Sequence, residues 1–112
     1  MLSIKDKQRN FFQRLKTIKE TYSELSLVYL SNDNYKLLDI NTIEKQEIFK
    51  QLQLEILGET IYRVMELIDG YDDGLKYEID IIDKETKQSL RDGIQFHDAF
   101  MNYIYENEED DI

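Results

Sequence analysis

The sequence has no cysteine, no proline and no tryptophan, and one histidine among 112 residues. Without cysteine there is no thiolate nucleophile, no iron–sulfur cluster, no disulfide and no cysteine-bearing zinc site. One histidine also excludes a site that needs two imidazole ligands from a single chain. The missing proline, normally about 5% of residues, suits long helices, because nothing removes a donor from the helical hydrogen-bond ladder. Long apolar runs are missing too: none approaches the ~20 residues that span a bilayer. The opening MLSIKDKQRN carries charge from Lys5 onward and has no apolar stretch of signal-peptide length. These absences predict a cytoplasmic protein with no membrane partner.

Acidic charge is abundant. There are 24 acidic against 14 basic residues, a formal charge of -10. Lys5, Lys7, Arg9, Arg14, Lys16 and Lys19 crowd the N-terminal end, so the rest of the chain is more acidic than the total suggests. Binding a phosphate backbone needs a basic field, so direct nucleic-acid binding is not expected and a basic protein surface is the better complement. The length is that of one domain that buries about two-thirds of its unfolded surface without disulfide or metal support. That domain is expected over residues 1–106, with residues 107–112 as an acidic disordered tail.

Ser3 with Asp6 three residues on reads as a capping box. Ile4, Phe11, Leu15, Ile18, Tyr22, Leu25 and Tyr29 then make one apolar seam, predicting a helix over residues 3–30. Turn formers at 31–34 and a short apolar connection at 35–40 lead to Asn41, which with Glu44 caps a second long helix. Its apolar residues fall on two adjoining faces: Ile48, Phe49, Leu52 and Ile56, then Leu54, Leu57, Ile61, Val64, Met65 and Ile68. That breadth predicts a central helix with neighbours on several sides. Gly58 in its middle costs about 1 kcal/mol relative to alanine, which a close crossing by another helix would offset. The run Asp69-Gly70-Tyr71-Asp72-Asp73-Gly74 ends the helix.

From Leu75 the period changes to two: Leu75, Tyr77, Ile79 and Ile81 alternate with Lys76, Glu78 and Asp80, the pattern of a half-buried strand. Leu75, Ile79 and Ile82 also fit a helix. With a polar turn at 83–88 and Ser89 to Arg91 pairing back, residues 75–91 read as a small β-hairpin. Ile94, His97, Phe100, Met101, Ile104 and Tyr105 define a last amphipathic helix. The expected fold is helix-dominated α+β: two long antiparallel helices, a shorter C-terminal helix and the hairpin. An all-α four-helix bundle is the alternative.

Four groups of residues bear on function. Glu55, Glu59, Tyr62, Glu66 and Asp69 step by four, three, four and three along one helix face. Carboxylates so placed suit contact with a basic partner; the alternative is a metal site of Glu55, Glu59, Glu66 and Asp69 in a phosphoester or pyrophosphate hydrolase, with His97 as accessory. The loop at 69–74 resembles the start of a calcium loop, but Tyr71 stands where an oxygen ligand is required and Asp80 where a bidentate glutamate belongs. His97 with Asp98 offers a base near neutral pH, although His97 lies in the apolar stripe of the last helix. Tyrosines beside acidic residues, Tyr62 and Tyr71 among them, suit a protein contact. The expected function is that of a small acidic, non-enzymatic interaction protein of the immunity or inhibitor type. It would mask a basic partner through Glu55, Glu59, Tyr62, Glu66, Asp69, Tyr71, Asp72 and Asp73, with no cofactor. Self-association into a homodimer is a further possibility.

Overall fold

The hydroxyl of Ser3 accepts the amide of Asp6 at 3.1 Å, and from this cap α1 runs unbroken over Ile4–Tyr29. A 3₁₀ helix, Asp33–Leu38, comes next, started by the Asn32 side chain accepting the Asn34 amide at 2.9 Å. Helix α2 covers Ile43–Ile68 and α3 covers Phe96–Asn107. The structure, a computed structural model, describes residues 2–107. The acidic tail expected at 107–112 therefore lies outside the described residues save for Asn107, the last residue of α3. The cap of α2 is Thr42, whose hydroxyl accepts the Lys45 amide at 3.1 Å. The expected Asn41 instead donates to Asp39.

The α+β expectation is overturned. Of the described residues 66% are helical and none lies in a β-strand, so the all-α alternative fits. Residues 75–91 do double back, but the pairing stops at one antiparallel bridge, Ile82 with Ser89. Two bonds flank it, Asp83 N–H to Gln88 O at 2.8 Å and Leu90 N–H to Ile81 O at 2.9 Å. Beyond Leu90 the chain turns away, with Asp92 N–H bonded to Ser89 O and Ile94 N–H to Arg91 O. No second strand remains to pair with Lys76 to Asp80. Arg91 takes part of that role, its Nη1 donating to the Ile79 carbonyl at 3.1 Å. Alternation reports which side chains of an extended segment are buried, but it cannot supply the neighbour that makes the segment a strand.

By their contacts the residues form two compact units, Met1–Leu15 with Ile61–Ile112, and Lys16–Thr60. The first holds all of the buried hydrophobic core: Phe12, Met65, Ile68, Phe96, Phe100 and Ile104. Phe12 meets Phe96 edge-on with ring centres 6.0 Å apart and Phe100 at a 55° tilt with centres 5.9 Å apart, and aromatic quadrupoles favour the edge-on arrangement over a face-to-face sandwich. Buried Gln8 donates to the carbonyls of Leu90 (2.9 Å) and Asp92 (3.0 Å), so the turn before α3 leaves neither oxygen unsatisfied. Lys7 reaches Asp83 at 2.7 Å and Gln88 at 2.7 Å, tying the 83–88 turn to α1.

The second unit is a helical hairpin. Lys19 lies on Gly58, and Glu24 is paired with Lys50, so the sequence order reverses and the two helices are antiparallel. Ser23 is fully buried and returns its hydroxyl to the Lys19 carbonyl at 2.8 Å. The neighbour over Gly58 is the Lys19 methylene stem, 3.3 Å from where a Cβ would sit, and it is this stem that makes the anticipated close approach. No hydrophobic side chain of this unit is buried, and Leu37, Ile43 and Ile48 are 100, 79 and 72% exposed. The α2 face of Ile48, Leu52 and Ile56, expected in the core, is exposed.

Candidate functional site

Helix α2 ends in a Schellman motif. Tyr71 N–H bonds to Glu66 O at 2.9 Å and Gly70 N–H to Leu67 O at 3.2 Å, with Gly70 at φ 89°, the left-handed conformation that glycine adopts without a Cβ penalty. This turn places Asp69 where its side chain is fully buried. Its Oδ1 accepts the amide of Phe96 at 3.0 Å and its Oδ2 that of His97 at 2.9 Å. Those are the first residues of α3, so the carboxylate does for α3 what a local N-cap side chain does elsewhere, and its charge suits the positive helix end. Oδ2 also lies 2.5 Å from His97 Nδ1. Because the carboxylate can only accept, Nδ1 carries the proton. Arg91 Nε is 3.2 Å from Oδ1, buried and too poorly aligned for a hydrogen bond.

The His97 ring is held on two more sides. Tyr62 meets it edge-on at 5.6 Å and Tyr71 at 4.9 Å, and Tyr71 accepts a hydrogen bond from Gln95 at 2.9 Å. An aspartate fixing the tautomer of a histidine is half of a nucleophilic triad. Here Nε2 is 3.6 Å from Asp98 Oδ1, a carboxylate, where such chemistry needs a hydroxyl or thiol. A cleft of about 780 Å³ opens beside Asp69, lined by Leu75, Ile79, Lys76, Glu78, Asp80 and Arg91 among others. The Arg91 guanidinium is already engaged with Asp69 and the Ile79 carbonyl.

The structure sorts the acidic residues singled out by spacing. Glu55 and Glu59 belong to the Lys16–Thr60 unit, and Tyr62, Glu66, Asp69, Tyr71, Asp72 and Asp73 to the other. Asp69 is committed to α3. Glu66 accepts from Arg63 at 2.6 Å, and the Arg63 guanidinium lies 5.6 Å from the centre of the Tyr62 ring. Asp72 accepts the Gly74 amide at 2.8 Å, and the Asp73 carbonyl accepts from Lys76. Among the described residues no group of three or more His, Asp or Glu side chains is close enough to hold a metal ion; of the calcium-loop carboxylates, Asp69 is committed to α3 and Asp80 accepts from the Ile81 amide and the Ser89 hydroxyl.

Glu55, which accepts from Gln51 at 3.5 Å, and Glu59 lie farther back along α2. Both are exposed, and at 100° per residue they fall with Ile48, Leu52 and Ile56 inside an arc of about 100°. Lys50 and Gly58, which meet α1, lie about 110° or more from the centre of that arc. Sequence spacing revealed both the carboxylates and the apolar stripe, but assigned the stripe to the core.

Comparison with protein families, with characterised proteins and with solved structures returned no match. No described helix is long and apolar enough to cross a membrane.

Proposed function

We propose that this chain is a small acidic interaction protein that binds and masks a basic surface of a partner protein, in the manner of an immunity protein or an inhibitor. One observation supports this above the others: Glu55 and Glu59 share a face of α2 with the exposed stripe of Ile48, Leu52 and Ile56. An apolar stripe at i, i+4, i+8 with carboxylates along one edge is the complement of an amphipathic segment whose apolar residues are bordered on the matching side by Lys or Arg. The apolar contacts supply affinity through burial. The carboxylates supply orientation and a faster encounter in a chain of charge -10.

The binding residues are thereby narrowed to Ile48, Leu52, Glu55, Ile56 and Glu59, with Asp72 and Asp73 adding to the long-range field. A defined probe provides the test: a labelled helical peptide with leucines at i, i+4 and i+8 and flanking lysines, titrated beside a copy with glutamates in place of the lysines. Binding of the lysine peptide is expected, with at least tenfold loss for Leu52→Asp and for the pair Glu55→Lys and Glu59→Lys. Equal binding of both peptides, or binding indifferent to Leu52→Asp, would overturn it.

A further inference from the structure

Helix α1 carries a strict heptad. Ile4, Phe11, Ile18 and Leu25 recur every seven residues, and Gln8, Leu15, Tyr22 and Tyr29 recur every seven with an offset of four. Such a 3.5-residue period keeps one seam facing a neighbouring helix. Up to Leu15 the seam is covered: Gln8 is buried and Phe11 and Leu15 pack against the core. The same seam then continues uncovered through Ile18, Tyr22, Leu25 and Tyr29, with Val28 at its border. It lies about 130° around α1 from Ser23, the buried residue of the hairpin, so it is separate from the face that meets α2. It is also separate from the α2 stripe assigned above to a basic partner.

We infer that this stretch of α1 pairs antiparallel with the same stretch of a second copy, making a two-fold homodimer. The period itself calls for a helix as occupant. Centred between Ser23 and Glu24, an antiparallel pairing sets Ile18 against Tyr29 of the second copy and Tyr22 against Leu25, so that every tyrosine ring packs on an aliphatic side chain. The flanking positions are Lys19, Thr21, Ser26 and Val28, and the Lys19 stem is drawn away over Gly58. No acidic residue borders the seam in a chain of charge -10, so self-pairing meets little like-charge repulsion there. The parallel arrangement would instead set Tyr22 against Tyr22 and Tyr29 against Tyr29 of the second copy, losing the mixed tyrosine–aliphatic layers. Exposures of 47, 52, 40, 66 and 62% for Ile18, Tyr22, Leu25, Val28 and Tyr29 amount to on the order of 500 Å² per copy. Complete cover of these side chains would bury at most about 1,000 Å² in the pair, the threshold of a specific interface. An interface of that size belongs to weak, reversible association.

Sedimentation of the full chain from micromolar to millimolar concentration tests the proposal. The unaltered protein should shift from a 13.5 kDa monomer to a dimer, Leu25→Glu should stay monomeric, and Leu52→Glu on α2 should dimerise unchanged. Since the chain has no cysteine, introduced thiols report the register whether or not Leu25→Glu folds. A Tyr22→Cys chain mixed with a Leu25→Cys chain should form the crossed disulfide, in excess over the disulfide of Tyr22→Cys with itself. A monomer at every concentration overturns the dimer, as does a folded Leu25→Glu protein that still dimerises. A dominant self-disulfide of Tyr22→Cys overturns the antiparallel arrangement.

Discussion

Asp69 holds His97 twice, accepting its backbone amide at 2.9 Å and standing 2.5 Å from its Nδ1. The residue just past the end of α2 is thereby the residue that starts α3, across 28 positions of sequence. The placement of α3 depends on that joint.

Removing the carboxylate strands two amides, an imidazole N–H and a neighbouring guanidinium in a site where the Asp69 side chain has no exposure. Asp69→Ala should cost about 3–5 kcal/mol, read as a lower urea midpoint with an unchanged slope. Asp69→Asn keeps a single acceptor oxygen and should cost about 1–3 kcal/mol. A loss below about 1 kcal/mol for Asp69→Ala would mean that α3 is not started from this residue.

The two glycines of α2 and its cap should respond in opposite directions. Gly70→Ala meets no atom within 4 Å, so its cost is that of the φ of 89°, about 1–2 kcal/mol. Gly58→Ala gains helix propensity of about 1 kcal/mol and presses only on the Lys19 stem at 3.3 Å, a flexible neighbour that can give way. Thermal midpoints should fall for the first and hold or rise for the second.

Core placement can be checked by a contrasting pair. Phe100→Ala, in the buried cluster, should lose about 3–5 kcal/mol. Ile48→Gln, at a site 72% exposed, should change stability by no more than about 0.5 kcal/mol. A loss of several kcal/mol from Ile48→Gln would return that face of α2 to the interior.

Acid should release the 83–88 turn late. The Lys7 hydrogen bond, with the amides of Thr86 and Glu85, lowers the Asp83 carboxyl from 3.8 to about 2. A carboxyl depressed by folding contributes stability that is complete above its unfolded value and lost as pH falls through its folded one. Here the window is between 3.8 and about 2. Carboxyl NMR titration should find the Asp83 midpoint near the lower end, and Lys7→Gln should move it up toward 3.8. An unmoved midpoint would show that Lys7 is not the main cause.

Much of the helical architecture was legible because it depends on near neighbours in sequence. Ser3, the α1 seam, the glycine-bearing stop after Ile68 and the phase of α3 all come from spacings of three, four and seven. The illegible part depends on distant partners. Nothing near Phe96 shows that its amide is capped from Asp69, 27 residues away. The alternation at 75–81 does not reveal that the returning chain turns off after one bridge. The carboxylates were visible as a line, and the Arg63 that engages Glu66 is a helical neighbour three residues away, but the amide and imidazole groups that occupy Asp69 come from packing. The exposed stripe of α2 is the converse: its period was right, and its cover is missing.

All of the buried apolar side chains lie among Met1–Leu15 and Ile61–Ile112, yet α1 and α2 both extend beyond those limits. Amide hydrogen exchange should therefore be graded along each rod, slow in the turns that share the interior and fast in residues 16–29 and 43–60. A molecule that lands on the fast stretches will make itself known by slowing them, so its footprint can be mapped before its identity is known.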